Sequence, residues 1–287
     1  MQTLSSIPTY VDRIYAVDDA STDNTFQIIS EQAENDSRIV VIKRRKNGGV
    51  GASVVCGYKM ALFEKIEIAV VMAGDGQMDP VYLPGLLDPI IEGEAEFTKG
   101  NRLFRRDLRC GMTSWRYFGN VVLSYMNMIA SGYWRVVDPQ NGYIAITWKA
   151  LNAINLDSIY PRYAFENDML VKLNVHDIRV VNVPIPARYG EEESKITYGS
   201  FIIRTSGYFL RAFFWRLWKK YMASNGPDGI SSEARQSESG NHIASPYDDG
   251  VCELIPNTPS QETLESNSRG TSYAMLETSK LVGGNPK

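Results

Sequence analysis

The chain has 287 residues, of which 44% are hydrophobic, so it is long enough to bury one sizeable core. Its formal net charge is only −3, which excludes a general nucleic-acid-binding protein. No apolar run reaches the ~20 residues that a membrane-spanning helix needs. The three cysteines show no CxxC or zinc spacing, which favours a reducing compartment and predicts that Cys56 and Cys110 are small packing residues.

The first part of the chain alternates predicted strands with predicted helices. Strands are predicted at residues 13–17, 38–42 and 68–73, and helices follow them at about 21–33, 52–63 and 81–91. Such alternation with short links indicates an α/β fold in which a mostly parallel sheet lies between helices. Ligands of these sheets bind beyond the carboxyl ends of the strands.

Each of these strands ends in a polar cluster. The clusters are Asp18 with Asp19, then the loop Asn47-Gly48-Gly49-Val50-Gly51, then Asp75 with Gln77. In extended backbone, side chains two residues apart point the same way, so the last two can offer oxygen ligands to Mg²⁺ or Mn²⁺. A glycine-rich helix start can bind phosphate through its N–H groups. The plainer alternatives, a Gly-Asp-Gly turn without a ligand and a solvated basic turn at residues 43–46, remain open.

Later polar residues extend this pattern. A strand at 96–99 precedes Arg102, whose planar guanidinium suits paired hydrogen bonds to phosphate. Asp138 and Gln140 lie in a polar turn before a strand at 143–147, and a plain turn is the alternative. Asp168 lies at the start of a helix, where an acid also favours the helix dipole. A further strand is predicted at 179–183.

Two helical segments carry apolar stripes. In residues 114–131 the stripe comprises Trp115, Phe118, Val122, Tyr125 and Ile129, which predicts a core-facing surface. Residues 201–221 are basic and aromatic without acids, which predicts an amphipathic helix in a membrane interface, with packing on the domain as the alternative. From residue 222 onward Ser, Gly, Asn, Pro and Glu dominate, which predicts a disordered tail over 222–287.

Three motifs resemble family 2 glycosyltransferases, most closely the dolichyl- or polyprenyl-phosphate sugar transferase branch. They are VDDASTDNT at 17–25, NGGVGASVVCG at 47–57 and GDGQMDP at 74–80, within a likeness that covers roughly residues 5–221. The resemblance implies a GT-A domain over 1–200, a nucleotide-sugar donor, a divalent cation (Mg or Mn) and inversion at the anomeric carbon.

The resemblance also implies roles for individual residues. The residues implied to bind the nucleotide are Asp18, Asp19, Asn47, Gly49 and Lys195. Asp75 and Gln77 would bind the metal, and Asp138 and Gln140 would lie on the acceptor side. Arg102 and Asp168 would be catalytic. Two features depart from the family. Ala73 stands where many relatives have an acid, and the family's first strand is missing, which predicts an unpaired sheet edge and poor stability.

The resulting expectation is a peripheral enzyme on the cytoplasmic face of the cell membrane. It would move a sugar from a nucleotide sugar to a polyprenyl phosphate, which is already an anion and needs no base. One alternative is transfer to a sugar hydroxyl in surface glycan assembly, with Asp168 as the base. Another is an inactive nucleotide-binding remnant, which Ala73 and the missing strand favour.

Overall fold

The computed structural model describes residues 2–103, 114–162, 164–187, 198–223, 252–254 and 273–279. Within them, eight strands form one sheet. The strands are β1 (Arg13–Asp18), β2 (Ile39–Arg44), β3 (Ile68–Ala73), β4 (Phe97–Asn101), β5 (Ile144–Thr147), β6 (Val180–Pro184), β7 (Cys252–Leu254) and β8 (Tyr273–Ser279). Their spatial order is β6-β4-β5-β3-β8-β1-β2-β7.

Helices cover both faces of this sheet. They are α1 (Gln2–Ser5), α2 (Thr25–Asn35), α3 (Val50–Phe63), α4 (Leu83–Ile91), α5 (Ser114–Ser131), α6 (Trp148–Ala153), α7 (Phe165–Val175) and α8 (Tyr198–Leu217), which a π-helical turn continues over Trp218–Met222. Because successive strand residues face opposite sides, Tyr15 joins the core cluster with Val54 of α3, whereas Ile14 joins the one with Leu86 of α4.

The sheet is mixed but mostly parallel. The pairs β1–β2, β1–β8, β3–β8 and β4–β6 are parallel, while β2–β7, β3–β5 and β4–β5 are antiparallel. This arrangement confirms the predicted α/β class, and the predicted strands of the first 187 residues are all present with shifts of a residue or two at their ends.

Two strands come from the tail. The prediction of disorder is wrong for residues 252–254 and 273–279, because β7 extends the sheet beside β2 and β8 pairs with both β1 and β3. The average composition of the tail hid the short apolar run Tyr273 to Leu276, whose backbone groups the sheet can satisfy. β1 therefore has partners on both sides, so the expected unpaired edge is absent there. Cys56 is also not a plain packing residue, since it forms a disulfide with Cys252.

The apolar stripe of α5 is the second correction. Phe118, Val122, Tyr125 and Ile129 are 40–62% exposed, so this stripe does not face the core, while the side chain of Trp115 lies outside the described residues. Helical periodicity identifies a stripe but not what covers it. The opposite face of α5 packs against α7 and α8. No helix in the described part of the chain combines the length and apolarity needed to cross a membrane.

Candidate active site

Asp19 joins the ends of β1 and β2. Its carboxylate accepts hydrogen bonds from the backbone N–H groups of Gly48 (2.9 Å) and Gly49 (2.7 Å), and it forms a buried ion pair with Arg44. The predicted proximity of Asp19 and the glycine loop is therefore present. The same contacts make Asp19 the residue that fixes the conformation of this loop.

The neighbouring residues differ in exposure. Asp18 is fully buried, and its carboxylate accepts a hydrogen bond from the N–H of Ser21 (3.3 Å), which closes the turn after β1. Asn47 is exposed at the start of the glycine loop. Asp18 thus stabilises the turn after β1, and among the described members of the predicted nucleotide set Asn47 is exposed to solvent.

The glycine loop packs closely against the segment that leads into α7. A Cβ atom on Gly51 would lie 2.5 Å from the carbonyl oxygen of Tyr160 and 2.7 Å from Cβ of Phe165. The N–H of Ala52 donates to the carbonyl of Pro161 at 3.0 Å. Glycine is required here for contact between backbones, a role that the sequence reasoning missed.

The predicted metal residues lie in a turn. β3 ends at Ala73, Gly76 has φ of +74°, and the Asp75 carboxylate accepts a hydrogen bond from the N–H of Gln77 at 2.9 Å. The prediction that Asp75 and Gln77 project from one side of an extended strand is wrong, because the backbone turns before Asp75. Asp75 is exposed, and the described residues contain no group of three or more His, Cys, Asp or Glu suited to hold a metal ion.

This turn contacts the turn at 138–142 and the start of α7. A Cβ atom on Gly142 would lie 3.1 Å from Cε of Met78 and 3.6 Å from Oε1 of Glu166. The hydroxyl of Tyr143 donates to the carbonyl of Asp79 at 3.3 Å. The loop after β3, the turn at 138–142 and the first turn of α7 therefore meet at one place.

Arg102 and Asp138 are joined by an ion pair and three hydrogen bonds. The backbone N–H, Nε and Nη2 of Arg102 donate to the Asp138 carboxylate at 3.0, 2.8 and 3.0 Å. The Asp138 side chain is 1% exposed and that of Arg102 is 21% exposed. A buried carboxylate thus fixes the guanidinium plane while part of the cation stays accessible.

Two titratable residues beside this pair were missed. Lys99 is fully buried in β4 and donates to the carbonyl of Asn141, while Oε2 of Glu166 is buried and has no hydrogen-bond partner. Burial raises the pKa of Glu166 and lowers the pKa of Lys99, and their mutual attraction opposes both shifts. Glu166 lies in the first turn of α7, where the sequence analysis singled out only Asp168. Nothing local distinguishes Lys99 from an exposed strand residue.

Comparison with known proteins identifies the family. Residues 2–138 match the sequence profile described as glycosyl transferase family 2. The UDP-N-acetylglucosamine–dolichyl-phosphate N-acetylglucosaminyltransferase of Methanococcus voltae is 30% identical over 192 residues, which span 63% of this chain and 76% of the relative. The chain is a family 2 glycosyltransferase.

Further similarities agree with this assignment. The undecaprenyl-phosphate mannosyltransferase of Micrococcus luteus is 28% identical over 177 residues, covering 60% of this glycosyltransferase and 70% of the relative. A crystal structure of a mycobacterial protein matches the fold with a TM-score of 0.51 at 18% identity, over 80% of this chain and 76% of the other. The sheet between helices is thus the GT-A fold that the resemblance implied.

The remaining predicted site residues of the glycosyltransferase are distributed unevenly. Asp168 forms an ion pair with Lys172 and accepts hydrogen bonds from the N–H of Tyr160 (2.8 Å) and the hydroxyl of Tyr208 (3.0 Å). These contacts occupy the Asp168 carboxylate, and its role as a base stays a prediction. Nε2 of Gln140 donates to the side chain of Asn167 at 3.5 Å. Lys195 lies outside the described residues.

Proposed function

We propose that this enzyme transfers a sugar, with inversion, from a nucleotide-sugar donor to a polyprenyl phosphate. The observation that carries the proposal is the Arg102–Asp138 pair, which offers an oriented cation beside the loop after β3. The names of the relatives from Methanococcus voltae and Micrococcus luteus, which act on dolichyl and undecaprenyl phosphate, support this acceptor class.

The donor would lie across the strand ends. Asp19 and the glycine loop would contact the nucleotide, and Asp75 with Gln77 would hold a divalent cation. A single exposed carboxylate fits such a cation, since Mg²⁺ and Mn²⁺ are commonly held by one or two carboxylates together with substrate phosphates and water. When bound, the cation would neutralise charge on the leaving diphosphate.

The acceptor end would rest on the paired arginine. Arg102, fixed by Asp138, would bind phosphate oxygens, and the acceptor oxygen would attack the anomeric carbon opposite the departing diphosphate. A phosphate acceptor is already ionised at neutral pH, so this route requires no general base. Asp168, which is engaged by Lys172, is not needed for this step.

The helical pair α5–α8 would place the enzyme on a membrane surface. α5 contacts α8, and each carries exposed apolar side chains, which in α8 are Leu210, Phe214, Trp215 and, in the turn that follows, Trp218, Tyr221 and Met222. Neither helix contains an acid. Arg211 is exposed, whereas Arg216 and Lys220 bond to the domain, so only part of the basic set would reach lipid headgroups.

Vesicle sedimentation tests the membrane proposal. We expect the protein to bind vesicles that contain anionic lipid, and Phe214→Ser to weaken binding severalfold, while Tyr10→Ser, at an exposed site on neither helix, has no effect. Equal sedimentation of wild type and Phe214→Ser, or no binding to anionic vesicles, would refute it.

Glu166 favours one alternative acceptor. Its buried Oε2 has no partner and its pKa is raised by burial, which are properties of a group that can remove a proton from a sugar hydroxyl. In that case the enzyme would extend a glycan, and Glu166, rather than Asp168, would be the base.

A transfer assay separates these possibilities. Nucleotide sugars with uridine and guanosine bases are offered with Mn²⁺ and either a polyprenyl phosphate or a saccharide acceptor. We expect sugar to appear on the lipid, with Arg102→Ala reducing kcat/KM at least a hundredfold and Arg102→Lys restoring it only in part. Transfer to saccharide alone, abolished by Glu166→Gln, would support the alternative. No turnover with any donor would indicate the inactive remnant.

A further inference from the structure

The central position of the sheet is held by β8, a strand from the end of the chain. β8 is parallel to both neighbours, with Arg13 to Asp18 of β1 paired to Ala274 to Ser279, and Ile68 to Ala73 of β3 paired to Tyr273 to Thr278. A strand that pairs with a neighbour on each side is a central strand and not an edge strand. The two halves of the sheet are joined through it.

Loss of β8 would leave buried backbone groups without partners. In a parallel ladder alternate residues bond to opposite neighbours, and the N–H of Ile14 donates on the β2 side, so Tyr15 and Val17 are the residues of β1 that face β8. Both are fully buried, and Val70 and Met72 of β3 are at most 2% exposed, so both strands meet β8 inside the core. Each buried N–H or C=O left unpaired costs about 1–3 kcal/mol. β1 and β3 would also face each other across a gap of roughly 10 Å, which is two strand spacings.

The carboxyl end of β8 lies between the two loops assigned to the donor. Ser279 is level with Asp18, the last residue before Asp19, and Thr278 is level with Ala73, which precedes the Asp75 turn. A nucleotide sugar that reaches from one loop to the other must cross the end of β8. The position of β8 therefore sets the separation of the two loops.

The length of the chain allows β8 to come from the same molecule. β7 and β8 are separated in the sheet by β1 and β2, a lateral distance of roughly 14 Å at the usual strand spacing. The connecting residues 255–272 can span up to roughly 60 Å when extended. No second copy is needed to supply the strand.

We propose that residues 273–279 belong to the donor site, where they set the separation of its two loops. Insertion of β8 into the sheet and binding of the nucleoside diphosphate then stabilise each other. The identity of the ligand rests on the proposed function, whereas the position of the strand does not. A ligand that binds only the form with β8 inserted stabilises that form, and the reciprocal effect on ligand affinity has the same size.

Hydrogen exchange of the full chain tests both parts. We expect the amides of 274–279 to be protected like those of β1 without ligand, and to exchange at least threefold more slowly with UDP or GDP and Mn²⁺. Exchange at the rate of an unstructured chain would overturn the proposal, as would nucleotide binding, measured by calorimetry, that leaves these amides unchanged. If the amides of 274–279 are protected but no nucleotide binds, the proposed function is refuted. The role of β8 in the donor site is then refuted as well.

A proline pair gives an independent test. Proline removes a ladder hydrogen bond and is excluded from central strands, so Leu276→Pro is expected to weaken nucleotide binding at least tenfold. Ser266→Pro, in the connecting segment, is the matched control and is expected to stay within twofold of wild type. Leu276→Pro that folds and binds nucleotide like wild type would contradict the proposal. If it fails to fold, the exchange experiment on the wild-type chain still decides.

Discussion

Replacement of Asp138 by asparagine isolates the charge that orients Arg102. Asp138→Asn keeps the size of the side chain but converts a buried carboxylate, 1% exposed, into a neutral amide facing three N–H donors of Arg102. Hydrogen bonds to charged groups contribute about 1.5–3 kcal/mol each, and removal of one partner from a buried ion pair costs about 3–5 kcal/mol.

The loss should appear mainly in catalysis. If the loss of this orientation removes about 2–4 kcal/mol of transition-state stabilisation by Arg102, kcat/KM falls about 30- to 1,000-fold. The assay is sugar transfer to polyprenyl phosphate, with thermal unfolding measured in parallel. Asp157→Asn is a control, because Asp157 also pairs with a cation, Lys59, but is 75% exposed and should change kcat/KM less than twofold. A folded Asp138→Asn enzyme with kcat/KM within threefold of wild type would refute the reasoning.

Three further predictions follow from the site. Because burial raises the pKa of Glu166, ionisation of its carboxyl lowers the stability of the folded state as pH rises above 4.5, the value of an exposed carboxyl. Glu166→Gln lacks this titration, so its stability in denaturant unfolding should fall less than that of wild type between about pH 5 and 8, and parallel curves would contradict this. Gly51→Ala should lower the free energy of unfolding by about 1–3 kcal/mol, because the added Cβ would clash with the Tyr160 carbonyl. Gly119→Ala, in open space on α5, should raise it by about 0.5–1 kcal/mol, and equal Tm values for the two variants would contradict this. Asp75→Ala should abolish the effect of Mn²⁺ on UDP affinity in calorimetry, and an unchanged Mn²⁺ effect would remove Asp75 from the metal site.

Local patterns were sufficient to predict much of the fold. The alternation of strands and helices predicted the sheet, because the apolar runs and their spacing are local features of each element. The rule that ligands bind at the carboxyl ends of parallel strands predicted that Asp19 lies near Gly49. The N–H of Gly49 donates a hydrogen bond to the Asp19 carboxylate. The turn at Asp138 was predicted as functional, but its bond to Arg102 joins residues far apart in the chain and has no local signature.

The misses share a physical cause, which is that long-range contacts decide burial. The tail that contains β8 looks polar in its average composition, yet two distant strands supply partners for the backbone of β8. The stripe of α5 was expected in the core, but α7 and α8 pack against the opposite face. Lys99 and Glu166 become a buried pair only when β4 and α7 come together, so neither the charge nor the spacing along the chain could predict their altered pKa values.

In the proposed enzyme the strand ends form one continuous donor site. A crystal structure of the enzyme with UDP and Mn²⁺, with the metal located by its anomalous scattering, tests it most directly. We expect a manganese peak at the Asp75 carboxylate, with the diphosphate bound to it and the nucleoside reaching Asp19. A metal held by other residues, or a nucleotide bound away from the ends of β1 and β3, would contradict it.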